Sequence, residues 1–147
     1  MTNRSNTENI KIWFVIGASK VLRLLLTKQL LAVGHRVVAT ARSTELFKPE
    51  AEPMGSNLLP LTVDLIDQSS VQNYVGETLA HFSQIDVVVN NSRFGKIGTL
   101  KKLGNKEVRK NFHINVFRML NVIRALAPYM RLSRSDHIIN ISSMAGI

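Results

Sequence analysis

The chain has 147 residues, 45% apolar and 20% charged, with no cysteine and a formal net charge of +9 at pH 7. That length suits one domain able to bury about two-thirds of the surface its unfolded form exposes. The lack of cysteine excludes disulfides, thiolate metal sites and a cysteine nucleophile, and His35, His81, His113 and His137 are too scattered for a zinc site.

Residues 1–10 read as a polar tail with no packing pattern. Lys11–Ile16 is a short run of bulky apolar residues stopped by Gly17, the pattern of a buried strand. Ser19 is a good N-cap, and Leu22, Leu25, Leu26, Leu30 and Val33 follow at helical spacing until Gly34 ends the helix. His35–Ala41 is the second strand. Ser43–Asn57, with Pro49, Pro53 and Gly55, is an exposed loop. Leu58–Val63 is the third strand, Ser69–Phe82 an amphipathic helix and Ile85–Asn90 the fourth strand. After a loop through Gly95 and Gly98, Lys106–Arg131 is a long helix loosened near Pro128, and His137–Ser142 is the fifth strand.

Apolar strands alternating with helices imply an α/β fold with a parallel sheet covered on both faces. Right-handed crossovers then give a doubly wound sheet of strand order 3-2-1-4-5. In such a sheet a ligand lies beyond the carboxyl ends of the strands where the order reverses, between the first and fourth strands. Gly17–Arg23 and Asn90–Gly95 should face each other there.

The nineteen Lys and Arg are dispersed, so a solvated basic surface is expected and a nucleic-acid partner ranks last. The richest apolar stretch, Val21–Val33, is interrupted by Arg23 and Lys28, so no membrane span is expected. The polar first ten residues lack the apolar core of a signal peptide, and a cytoplasmic location is the expectation.

Ile16-Gly17-Ala18-Ser19-Lys20-Val21-Leu22-Arg23 resembles the T-G-x-x-x-G-x-G turn of the short-chain dehydrogenases/reductases. Asn90-Asn91-Ser92-Arg93 is similar to their N-N-A-G. Asn115-Val116-Phe117 and Ile139-Asn140-Ile141-Ser142-Ser143 resemble the family's helix asparagine and serine strand. The four motifs stand in family order from Lys11 to Ile147. The resemblance implies a Rossmann-like domain over residues 11–147, incomplete and truncated after the fifth strand. It implies an oxidoreductase that interconverts carbonyl and alcohol groups on a small substrate with a nicotinamide cofactor. Gly17, Ala18, Ser19, Lys20 and Leu22 would form the phosphate turn. Asp64 and Leu65 would lie by the adenine, while Asn90 and Asn91 would line the crevice. The second strand ends without a carboxylate, and Arg42 follows it, so Lys20 and Arg42 suit the 2′-phosphate of NADP(H).

Ser143 is the serine that holds the carbonyl oxygen by motif, and Asn115 the asparagine of the proton relay. The family's Tyr-x-x-x-Lys acid pair is absent. Tyr74 and Tyr129 are followed four residues on by Thr78 and Ser133, and both tyrosines are expected to pack on helix faces. Three positions also depart from the family: Val21, Arg23 and Arg93 stand where it has glycine. A side chain there obstructs close backbone approach. Val21 would crowd a pyrophosphate, Arg23 would sit where helix and strand pack closely, and Arg93 would enter the crevice. This polypeptide is therefore expected to be inactive, with one face of the fourth and fifth strands open and self-association through the bare fifth strand. The alternative is a non-catalytic nucleotide-binding or protein-interaction module.

Overall fold

The computed structural model describes residues 10–17, 20–41, 53, 55–91, 101–134 and 137–142, without the side chains of Lys20 and Ala41. Five parallel strands form one sheet in the order β3-β2-β1-β4-β5, as the alternation of elements predicts. The strands are β1 (Ile12–Gly17), β2 (Arg36–Ala41), β3 (Leu58–Thr62), β4 (Val87–Asn91) and β5 (His137–Asn140). Parallel strands joined by helical crossovers need cover on both faces. The helices α1 (Lys20–Ala32), α2 (Gln68–Phe82), α3 (Asn105–Phe112) and α4 (Arg118–Ser133) accompany them, with a five-residue π-helical segment, His113–Phe117, between α3 and α4.

Side-chain alternation divides the core in two. Ile12, Phe14 and Ile16 of β1 pack with Val38, Leu61 and Val88 against Val71, Val75 and Phe82 of α2 and Val122, Leu126 and Met130 of α4. Val15, Val37, Ala39 and Leu58 face the other way, against Leu30 of α1, with Leu24, Leu26 and Leu31 partly buried beside them. Pro60 lies within β3, where an edge strand accommodates a residue that cannot donate to the ladder.

Local signals set the helix ends. At the end of α1, His35 N–H donates to Leu30 O at 3.0 Å and Gly34 N–H to Leu31 O at 3.0 Å, with Gly34 at φ 90°. These are the paired bonds of a Schellman turn, which needs the left-handed conformation glycine adopts freely. Asp67 caps α2 by accepting from Ser69 N–H at 3.1 Å.

Three features differ from the sequence pattern. The buried stripe of α1 is Arg23, Thr27 and Leu30, whereas Leu22, Leu25 and Val33 are exposed. Leucines occupy every side of this helix, so their spacing alone does not select its inner face. The long helix passes through Pro128 to Ser133 and is interrupted instead by the π segment. Pro128 removes one i→i−4 bond of the ladder, and the helix continues past it. Finally, β4 is buried along its whole length, where an open face was expected. Exposure falls on β5 alone, with Ile138 at 39% and Ile139 at 42%.

Candidate functional site

The register aligns the carboxyl ends of the strands. Ile16 lies beside Thr40 and Asn90, Asn90 lies beside Asn140, and Gly17 lies beside Asn91. β1 and β4 are sequence-distant neighbours at the point where the strand order reverses, the location that opens a crevice in doubly wound sheets. Asn90 and Asn91 are 5% and 1% exposed. The Asn90 side-chain amide donates to Asn140 Oδ1 at 2.8 Å, and Ile141 N–H donates to Asn90 O at 2.9 Å. β4 and β5 are thus held together directly before Ser142. The side-chain oxygens of Asn90 and Asn91 are buried and accept no hydrogen bond among the described residues. Burial of such an acceptor is costly, and these two stand at the strand ends that line the crevice.

Arg23 is a further buried polar group at this edge, only 5% exposed. Its Nη1 donates to Gly17 O at 2.9 Å and to Thr40 O at 3.1 Å. Its stem lies along Gly17, where an added Cβ would stand 2.5 Å from Arg23 Cδ. Burial lowers the guanidinium pKa from its ordinary value, but arginine remains charged at neutral pH. The helix–strand contact that glycine would make by close approach is made here by a hydrogen-bonded brace.

The remaining sequence-predicted positions distribute as follows. Val21 and Leu22 are exposed on the first turn of α1. Asp64 follows β3, where its carboxylate accepts from Ile66 N–H at 3.0 Å. Leu65 is partly buried against the core, and its carbonyl accepts from the Asn121 amide at 3.3 Å, which ties this loop to α4. Asn115 lies in the π segment, with its amide donating to Asn111 Oδ1. π segments are concentrated at functional positions of helices, and this one encloses the asparagine singled out by motif. Tyr74 packs against the core, but Tyr129 is exposed. Ala18, Ser19, Arg42, Arg93 and Ser143, and the Lys20 side chain, lie outside the described residues.

Thr40, Asn121 and Asn140 belong to this edge without having been singled out individually. Their only signal is a polar residue in or beside an apolar run. Among the described residues no group of His, Asp and Glu gathers as a metal site, and no helix is long and apolar enough to cross a membrane. A hollow of about 270 Å³ lies between Ile66, Gln68 and the π segment with the start of α4.

The sequence profile described as short chain dehydrogenase matches residues 11–147. The chain is 33% identical over 137 residues to a 3-ketodihydrosphingosine reductase of Bacteroides thetaiotaomicron, covering 93% of this chain and 48% of that protein. It is 29% identical over 137 residues to oxidoreductase BOA17 of Botryotinia fuckeliana, covering 92% and 50%. A short-chain dehydrogenase from Streptomyces avermitilis superposes with a TM-score of 0.85 at 28% identity, covering 94% of this chain and 51% of that one. The chain therefore spans about half the length of the relatives it matches. With the profile matched across nearly all of it, the chain belongs to the short-chain dehydrogenase family.

Proposed function

We propose that this chain is the nucleotide-binding half of an NADP(H)-dependent oxidoreductase that interconverts carbonyl and alcohol groups on a small substrate. The observation that carries the reading is the juxtaposition of Gly17 and Asn91 at the reversal point of the sheet. Beside them, Asn90 and Asn140 fix the strand that leads to Ser142. In this reading Ala18, Ser19, Lys20 and Leu22 complete the phosphate turn with Gly17. Lys20 and Arg42 supply the two cations for a 2′-phosphate, and Asp64 and Leu65 border the adenine. A nicotinamide cofactor supplies the redox equivalents. Ser143 holds the substrate oxygen, and Asn115 supports the path of the proton. The reading also places the protein in the cytoplasm and makes residues 11–147 one Rossmann-like nucleotide-binding domain.

The crevice between β1 and β4 fits a nucleotide, since buried amide oxygens stand at its edge. The β1–β2 side does not fit as an open glycine turn, because Arg23 fills it. Cofactor choice is testable by thermal unfolding of the 147-residue chain. About 5 mM NADPH should raise Tm by about 3 °C, as expected for a ligand present at about five times its Kd. The same concentration of NADH should leave Tm unchanged. Equal shifts with both, or a larger one with NADH, would remove the NADP(H) assignment.

A further inference from the structure

The glycine turn is already filled from within. Gly17 ends β1 and Thr40 is the penultimate residue of β2. Their carbonyls lie at the carboxyl edge of two neighbouring parallel strands, the edge beyond which doubly wound folds hold a dinucleotide, with the ribose next to the end of the second strand. Arg23 bridges these two carbonyls through Nη1, at 2.9 and 3.1 Å. Its Cβ, Cγ and Cδ would stand 2.9, 2.9 and 2.5 Å from a Cβ built on Gly17. The room that a missing Cβ leaves at Gly17 is thus used by the chain's own arginine.

We propose that Arg23 is a built-in occupant of the nucleotide turn, holding dinucleotide affinity low by filling the ribose–phosphate side of the site. This rests on the reading of the crevice as a nucleotide site. A phosphate clamp would turn the guanidinium outward. Here Nη1 is committed to two backbone carbonyls and the residue is almost wholly buried. Its hydrogen bonds also fix the relative positions of β1, β2 and α1. The occupant narrows the space for the sugar and the adjacent phosphate, which weakens dinucleotide binding without abolishing it.

The test is NADPH titration of the full 147-residue chain by calorimetry, comparing wild type with R23A and R23G. Alanine keeps helix propensity, and glycine restores the open turn. Wild-type Kd is expected near 1 mM, and each folded variant should bind at least about tenfold more tightly. A variant with native circular dichroism and cooperative unfolding, but with unchanged or weaker affinity, overturns the proposal. If neither variant folds, the wild-type isotherm decides: a Kd above about 0.1 mM agrees with an occupied turn, and a lower value overturns it. Tight wild-type binding would retain the nucleotide reading while discarding the occupant. No binding by wild type or by either folded variant would discard both.

Discussion

Replacing Gly17 by alanine measures how tightly Arg23 and the turn are fitted together. Gly17 is not among the glycines with positive φ, so alanine suits its backbone and the cost is steric. The new methyl would meet Arg23 Cδ at 2.5 Å and Cβ and Cγ at 2.9 Å, against about 3.5–4.0 Å for relaxed carbon contacts. Cδ could swing aside, but Cβ moves only with α1, and the far end of the side chain is held by two hydrogen bonds. Either helix and strand separate by about 1 Å or the bonds break, which places the loss at about 2–4 kcal/mol. R23A alone should cost about 2–3 kcal/mol, since two charge-assisted bonds are lost while desolvation of a buried cation is relieved. In the R23A background the alanine methyl at position 17 loses its clashes with Cγ and Cδ but keeps the 2.9 Å approach to Cβ, so its cost should fall to about 1–2 kcal/mol. The coupling energy is then about 1–3 kcal/mol. Urea unfolding of the four proteins, followed by far-UV circular dichroism, reads it directly if the m-values agree. Equal costs for G17A in both backgrounds, within about 0.5 kcal/mol, would refute the fitted turn.

Asp86 sits at the opposite edge of the sheet, accepting from Ile12 N–H at 2.8 Å and from the Gln84 amide at 3.1 and 3.2 Å. D86A leaves the Ile12 N–H without its carboxylate, so a stability loss of about 2–4 kcal/mol is expected in urea titrations, with D86N losing less. The Ser69 hydroxyl and backbone N–H hold the Asp67 carboxyl below its ordinary value near 3.8. Its contribution is therefore complete above the unfolded-state pKa and lost as pH falls through the lower folded value. The Tm difference between wild type and D67A should accordingly be larger at neutral pH than below pH ~3; a gap independent of pH would contradict the cap. NADPH oxidation with aldehydes or ketones by the 147-residue polypeptide alone should stay at background, because neither Tyr74 nor Tyr129 has lysine four residues on. Steady turnover would contradict that expectation.

The sheet was legible because each strand is a compact apolar run with a helix between it and the next. Handedness rules then left few orders to choose from. The inner face of α1 was not legible. Its buried positions are an arginine, a threonine and a leucine, while leucines also stand on its exposed sides. The π segment has no compositional mark, and Pro128 drew attention to the wrong end of the long helix. Sequence identified Arg23 as a residue in a glycine's place. It could not show that the guanidinium turns inward to two carbonyls, because that depends on how far β2 lies from α1. Asp86 passed unnoticed because a carboxylate beside an apolar run gives no sign of which backbone N–H it will meet.

The central claim is that the carboxyl edge between β1 and β4 is the nucleotide site, and amide chemical shifts on the 15N-labelled chain test it most directly. With millimolar NADPH, the backbone amides of Gly17, Leu22 and Asn91 and the side-chain amide of Asn91 should shift in a saturable way. Ile12 and Asp86, at the other end of the same strands, should stay still. Saturable shifts confined to the hollow beside His113, Phe117 and Asn121, or to the Asp86 edge, would contradict the assignment.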